Sequence, residues 1–178
     1  MIYTHVVKNM RAHGITVQGC FVLGLDEDGP EVFDATIQQV LYLRVDIPRY
    51  SIYTPYPGTQ LFARMQAEGR MLSYNWDDYD TMHVVARPAR LTPEQLYEGF
   101  KRAYRETFRM RHVCSRVRGL RLTSLVNFVG NAAYRIFVRR LYSEPRFAQP
   151  YTRENPGRAP EAGDWADAFL AAHGEGVA

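Results

Sequence analysis

The chain has 178 residues, 46% hydrophobic and 13% aromatic, enough apolar material for one globular domain with a real core. The formal net charge is only +3, yet residues 101–142 carry eleven Lys and Arg against one acid, Glu106, so that segment bears +10 and the remainder −7. Two distant cysteines, Cys20 and Cys114, exclude a disulfide framework or a paired-cysteine metal motif, no secretory leader is read in residues 1–10, and no apolar run reaches the roughly 18 residues of a membrane span.

In chain order, Tyr3 to His13 reads as a helix with Val6, Val7 and Met10 on one face and Gly14 as its stop. Such a start, without a cap, is expected of a segment cut from something longer. Ile15 to Leu25 reads as a strand with few charges, the pattern of a strand covered on both faces. A helix follows from Asp28 and Pro30, with Phe33, Ile37, Val40 and Leu41 as its buried stripe. Asp26, Glu27 and Asp28 stand at its N-terminus, where capping and dipole compensation are the expected roles and metal binding the minority one. A second strand spans Arg49 to Tyr53, and Thr59 is the expected N-cap of a helix from Gln60 to Glu68 that ends at Gly69.

Trp76 to Asp80 is too rich in acids and aromatics for a regular element, and Met82 to Ala86 is read as a short third strand. Thr92, Pro93 and Gln95 spell a capped helix start, with Leu96, Phe100, Ala103, Tyr104 and Phe108 on the buried face. An Arg-rich joint, 109–121, leads to a long helix from Thr123 to Tyr142, whose apolar side is read as Leu125, Val126, Val129, Ala132, Ala133, Ile136 and Phe137. The region from Ser143 is rich in Pro, Gly, Ala and Glu and reads as a poorly ordered tail in which Trp165, Phe169 and Leu170 suit one short docking helix.

Two strand–loop–helix units in series are the rhythm of a parallel α/β barrel or a doubly wound sheet. Ligands in such folds sit at the loops that follow the strands, here Gly24 to Gly29 and Tyr53 to Thr59. Weaker polar candidates are His83 beside Met82, and Asp77, Asp78 and Asp80 as a cation site. A structural histidine and a solvated loop are the expected alternatives, and His5, His13, His112 and His173 lack metal-ligand spacing.

Several motifs then fall in a familiar order. Gly14-Ile15-x-Val17-x-Gly19-x-Phe21-Val22-x-Gly24-Leu25, Pro55-Tyr56-Pro57-Gly58-Thr59, Glu68-Gly69-Arg70, Trp76-x-x-Tyr79-Asp80 and Leu91-Thr92-Pro93-Glu94-x-Leu96 resemble the second half of radical S-adenosylmethionine (radical SAM) enzymes. The resemblance extends over roughly residues 1–142 and is nearest to the subgroup with an N-terminal cobalamin-binding domain, which includes methylases and cyclases of lipids and tetrapyrroles. It implies an α/β fold, the back part of a partial (β/α)6 TIM-like barrel containing about the last two strand–helix units, followed by a C-terminal helical extension. The implied division is residues 1–90 for the barrel units, 91–142 for the basic amphipathic extension and 143–178 for the tail.

The resemblance also implies a 4Fe-4S cluster that cleaves S-adenosylmethionine reductively, with cobalamin a further cofactor of the full-length protein. The cluster's Cys-x-x-x-Cys-x-x-Cys motif is absent from this sequence, so no catalytic residue and no metal ligand is assigned. The expected partner is the missing N-terminal half or a separate cluster-bearing chain. By position, Phe21, Val22, Leu23 and Gly24 would stand against the adenine, and Tyr53, Pro55 and Tyr56 would line the adenosine and substrate space. Plain core packing remains the other reading for Phe21 and Leu23, and ordinary packing the other for Tyr53 and Tyr56. For the basic arm, three uses stand open: solvated cover over the barrel, contact with an anionic membrane surface or lipid-like substrate, and nucleic acid, the least supported. The expected location is cytoplasmic, with peripheral membrane contact in the second case. The competing functional class is a non-catalytic α/β interaction module that uses this arm.

Overall fold

The computed structural model describes residues 2–116 and 122–143. The elements are α1 (Ile2–Ala12), β1 (Gln18–Leu23), α2 (Val32–Leu43), β2 (Ile47–Ile52), α3 (Gln60–Ala67), a 3₁₀ turn (Trp76–Asp78), α4 (Pro93–Thr107), α5 (Met110–Arg116) and α6 (Leu122–Ser143). The expected tail and its docking helix lie outside the described residues.

The two strands run parallel, joined through α2, with Phe21 opposite Tyr50 and Leu23 opposite Ile52. Side chains alternate across a strand. Phe21, Leu23, Tyr50 and Ile52 therefore share one face, and it packs into a core with Phe33, Ile37 and Val40 of α2 and Leu96, Phe100 and Tyr104 of α4. Two glycines permit the close approach of these layers. A Cβ on Gly99 would lie 2.3 Å from the Phe33 ring, and one on Gly24, whose φ is +91°, would lie 2.6 Å from Leu96.

The expected strand covered on both faces is corrected here. On the other face of β1, Gln18, Cys20 and Val22 are exposed, Val22 to 48%. A run of apolar residues does not by itself say whether a second layer is present. Among the described side chains of α1 only Val7 is buried, while Val6 is 45% exposed. Met82 to Ala86 forms no strand. Its one ladder contact is an isolated antiparallel bridge, Met71 to Ala86, because the Met82 and His83 N–H groups turn back to the Asp80 carboxylate instead.

Two cap assignments hold and one is corrected: α2 begins only at Val32, behind Glu31, with no side-chain cap bond, so Asp26, Glu27 and Asp28 do not cap it. Thr59 accepts from the Phe62 N–H, and Thr92 with Gln95 forms a full capping box at Pro93. All five residues expected on the buried face of α4 are buried. The Arg-rich joint, by contrast, contains a helix, α5, whose Val113 and Arg116 are buried. The buried stripe of α6 is also offset from the expected one. Asn127, Asn131, Tyr134, Val138 and Leu141 point inward together with the expected Phe137, whereas the expected Leu125, Val126, Val129 and Ile136 are 55–59% exposed.

The reason for that offset is a buried polar network. The Asn131 amide donates to the Asp46 carbonyl at 3.0 Å and to the Asn127 carbonyl at 2.7 Å, and its oxygen accepts from Arg116 at 3.0 Å. Arg116 also donates to the Thr107 carbonyl, and Arg11 forms a 2.8 Å ion pair with Asp46. Desolvation pushes the Arg116 guanidinium down to about 10 and the Asp46 carboxyl above its ordinary value. The guanidinium thus stays charged at neutral pH. Two asparagines, unpromising as core residues, anchor α6 because each buried donor and acceptor finds a partner there.

Candidate functional site

The C-terminal ends of β1 and β2 lie side by side: the Tyr53 N–H donates to the Leu23 carbonyl at 2.9 Å. The loop after β1 is tied down by its three acids, Asp26, Glu27 and Asp28. The Asp28 carboxylate accepts from the Gly24 and Leu25 N–H groups, both at 2.9 Å, closing the first loop on itself. Asp26 pairs with Arg70 at 2.8 Å and with Arg64 at 2.7 Å, and Glu27 with Arg90 at 3.2 Å. Hydrogen bonding to Arg70 holds the Asp26 carboxyl below its ordinary range. Asp26 and Glu27 therefore join the first loop to α3, to the chain just after it and to the segment just before α4. Among the described residues no group of three His, Cys, Asp or Glu side chains is arranged to hold a metal ion.

The expected site residues divide by sheet face. Leu23 is fully buried and Phe21 is half-buried against Tyr50, with ring centroids 5.7 Å apart. Both face the helices. Val22, in register with Ser51, and Tyr53 fall on the open face by strand alternation. Pro55 is buried, whereas Tyr56 is 46% exposed. Gly24 is buried under Leu96, and its N–H is taken by Asp28. Period-two alternation was the signal that separates Val22 from Phe21 and Leu23, and it also brings Gln18, Cys20 and Ser51 onto the open face.

The two outer edges of this sheet differ. In the ladder, the Val17 and Leu23 carbonyls accept from the Ile47 and Tyr53 N–H groups, so odd-numbered residues of β1 and β2 face each other. Even-numbered backbone groups point outward. On β2 most of these are met, the Pro48 carbonyl being the exception among the described residues. Asp46 C=O accepts from Asn131, Pro48 has no N–H, and Ile52 N–H donates to the Thr81 carbonyl at 2.8 Å. Ile52 C=O accepts from the Thr54 hydroxyl at 2.9 Å. At Tyr50 the Tyr104 hydroxyl both accepts from the N–H, at 3.1 Å, and donates to the C=O, at 3.0 Å. Burial pushes that hydroxyl up to about 12, so it keeps its proton at neutral pH. On β1 the outward groups of Gln18, Cys20 and Val22 have no strand beside them among the described residues.

Beside the closed edge lies a cavity of about 400 Å³, lined by Arg49, Tyr50, Asp80, Met82, Tyr134 and Phe137 among others. The sequence reading did not single out Arg49 or Tyr134, and no local signal joins residues so far apart in the chain.

The cluster expected from the resemblance does not fit these residues. Three thiolates are needed, and the two cysteines are both exposed, one on β1 and one on α5. The strand ends suit an adenine only in part. Val22, Tyr53 and Tyr56 offer apolar surface, but the Gly24 and Leu25 N–H groups and the Leu23 carbonyl are already engaged.

No family profile matches the chain. The chain is 35% identical over 144 residues to the bacteriochlorophyllide d C-12(1)-methyltransferase of Chlorobaculum tepidum, an alignment that covers 80% of this chain and 30% of that protein. It is 26% identical over 133 residues to the bacteriochlorophyllide d C-8(2)-methyltransferase of the same organism, covering 75% of this chain and 29% of the relative. With the anaerobic magnesium-protoporphyrin IX monomethyl ester cyclase of Cereibacter sphaeroides it shares 26% identity over 102 residues, 57% of this chain and 16% of the cyclase. The chain thus spans 30% or less of the length of these three relatives, and it is similar to one segment of each.

Proposed function

We propose that this chain supplies the C-terminal strand–helix units and helical extension of a radical SAM enzyme that methylates or cyclises a tetrapyrrole substrate. On this reading the 4Fe-4S cluster, and cobalamin if it is used, are held by a region outside these residues. Similarity to two bacteriochlorophyllide methyltransferases and a magnesium-protoporphyrin cyclase supports the family and the substrate class. The carrying observation is the contrast between the edges of the sheet. A parallel strand whose outward N–H and C=O groups are unpaired is a template for another strand. Addition there would extend the open face of Val22, Ser51 and Tyr53 into the wall of a larger site. S-adenosylmethionine, when bound, would supply the reactive adenosyl group, and Val22, Tyr53 and Tyr56 would give its adenine apolar contact.

The test is reassembly. The chain is co-expressed with a polypeptide bearing Cys-x-x-x-Cys-x-x-Cys, reconstituted anaerobically with iron and sulfide, and assayed for 5′-deoxyadenosine after reduction. Cleavage that depends on both parts is expected. Association without any cleavage, or no association at all, overturns the reading.

A second reading, a membrane- or partner-binding module, is favoured by one specific observation. The outward face of α6 exposes Leu125, Val126, Phe128, Val129 and Ile136 next to Arg135 and Arg139. Apolar side chains flanked by arginines suit an anionic lipid surface. Salt-sensitive binding to vesicles containing phosphatidylserine, absent with neutral vesicles, is the expected result under that reading. Equal or no binding to the two vesicle types rejects it. No helix among the described residues is long and apolar enough to cross a membrane.

A further inference from the structure

We propose that the cavity beside β2 binds a flat aromatic carboxylate, with the ring against Tyr134 and Phe137 and the carboxylate on Arg49. Its volume of about 400 Å³ falls in the range of small-molecule sites, roughly 300–1,000 Å³. The inference deepens the reading above, on which the ligand is one edge of the macrocyclic substrate.

The walls set the chemistry. Tyr134 stacks on Phe108, with centroids 5.2 Å apart and planes 14° apart, and on Tyr104 at 6.4 Å. Phe137 meets Tyr104 edge-on at 5.3 Å. Both Tyr134 and Phe137 are only half-buried, so these braced rings retain accessible surface toward the cavity. A rigid aromatic platform binds a planar ligand at low entropic cost, because the rings are already held by their neighbours.

Arg49 sets the polarity. Most of the described arginines hold a carboxylate or a carbonyl: Arg64 and Arg70 on Asp26, Arg90 on Glu27, Arg102 on Asp34, Arg135 on the Phe108 carbonyl. Arg49 lines the cavity, and its guanidinium makes no hydrogen bond or ion pair among the described residues. Asp80 also lines the cavity, and its Oδ1 accepts from the Met82 N–H at 2.8 Å and the His83 N–H at 3.1 Å and lies 3.0 Å from His83 Nδ1. A ligand carboxylate is repelled by Asp80 and attracted by Arg49, whose guanidinium can engage both of its oxygens. Thr81, with φ at +65°, turns this loop so that its carbonyl meets Ile52 and holds Asp80 and Met82 over the cavity.

The experiment titrates the full chain with mesoporphyrin, a planar dicarboxylate, and separately with its dimethyl ester, following the Soret band and protein fluorescence. The acid is expected to bind. Arg49→Gln should weaken the acid about ten-fold or more, the scale of a lost hydrogen bond to a charged group, and leave the ester unchanged. Ala133→Trp places bulk in the cavity from an exposed position of α6 and should abolish both. Thermal melting checks that each variant is folded, and Val129→Glu, outside the cavity on the exposed face of α6, serves as a control. No binding by the natural chain overturns the inference. So does binding indifferent to Arg49→Gln and Ala133→Trp, or binding abolished by Val129→Glu alone. The reductive cleavage assay needs no porphyrin, so it fails or succeeds separately: cleavage with cavity-independent porphyrin binding rejects this inference and spares the function, and the reverse pattern rejects the function alone.

Discussion

The two outer edges of the same small sheet were treated differently by the fold. At β2, an asparagine amide, a tyrosine hydroxyl, a threonine hydroxyl and a loop carbonyl meet outward groups of Asp46, Tyr50 and Ile52, and a proline at position 48 removes one N–H. At β1, Gln18, Cys20 and Val22 present backbone and side chains that nothing among the described residues covers. An edge closed by five separate devices is a terminus of the sheet. An edge left open beside exposed Val22 is where a further strand can add. The contrast teaches that a sheet's interface can be located by asking which backbone groups lack partners, before any ligand is considered.

Breaking the closed edge should have the largest effect. Tyr104→Phe strips both the Tyr50 N–H and C=O of their partner inside the core and is expected to cost about 2–5 kcal/mol in denaturant unfolding. Asn131→Ala should follow at about 2–4 kcal/mol, because the Asp46 carbonyl loses its donor and buried Arg116 loses one acceptor. Thr54→Val removes only the hydroxyl bond to Ile52 and should cost about 1 kcal/mol. At the open edge, Val22→Pro removes an N–H that makes no ladder bond. It should change the isolated chain's stability by less than about 1 kcal/mol while eliminating association with a cluster-bearing partner in a pull-down. If Val22→Pro destabilises the chain as much as Tyr104→Phe does, the two edges are not different in kind.

A smaller, pH-dependent effect concerns the loops at the strand ends. The Asp26 carboxyl lies below its ordinary value of 3.8 in the folded chain, through its hydrogen bond to Arg70. Its contribution to stability is therefore present in full above that value and is lost as the pH falls through the lower folded value. Melting curves should show a loss as the pH falls below 3.8 that is reduced in Arg70→Gln. An identical acid profile in that variant would remove Asp26 as the cause.

Much of the fold was legible because its signals are local. The Thr59 cap, the Thr92–Gln95 box and the α4 stripe each rest on contacts within four residues, and each was found in place. The stripe on α6 was misread because hydrophobicity was taken as the guide to burial. Asn131 is fully buried only because Asp46, 85 positions earlier, offers it a carbonyl. Similarly, Ile15 to Leu25 reads as covered on both faces, since an apolar run is compatible with a missing layer as well as a present one. Of the expected site residues, alternation could have sorted Val22 and Tyr53 from Phe21 and Leu23, but no local pattern joins Arg49 to Tyr134 across a cavity.

By itself, the sequence determined the capped starts of α3 and α4, the parallel strand–helix–strand unit and the likeness to segments of tetrapyrrole-modifying enzymes, because caps, periodicities and ordered motifs are short-range information. Only the tertiary structure decided which sheet edge is closed, which face of α6 is buried and where a cavity lies whose arginine guanidinium has no partner among the described residues. Each of those depends on whether a particular backbone or side-chain group finds a partner tens of residues away, and that pairing is set by packing.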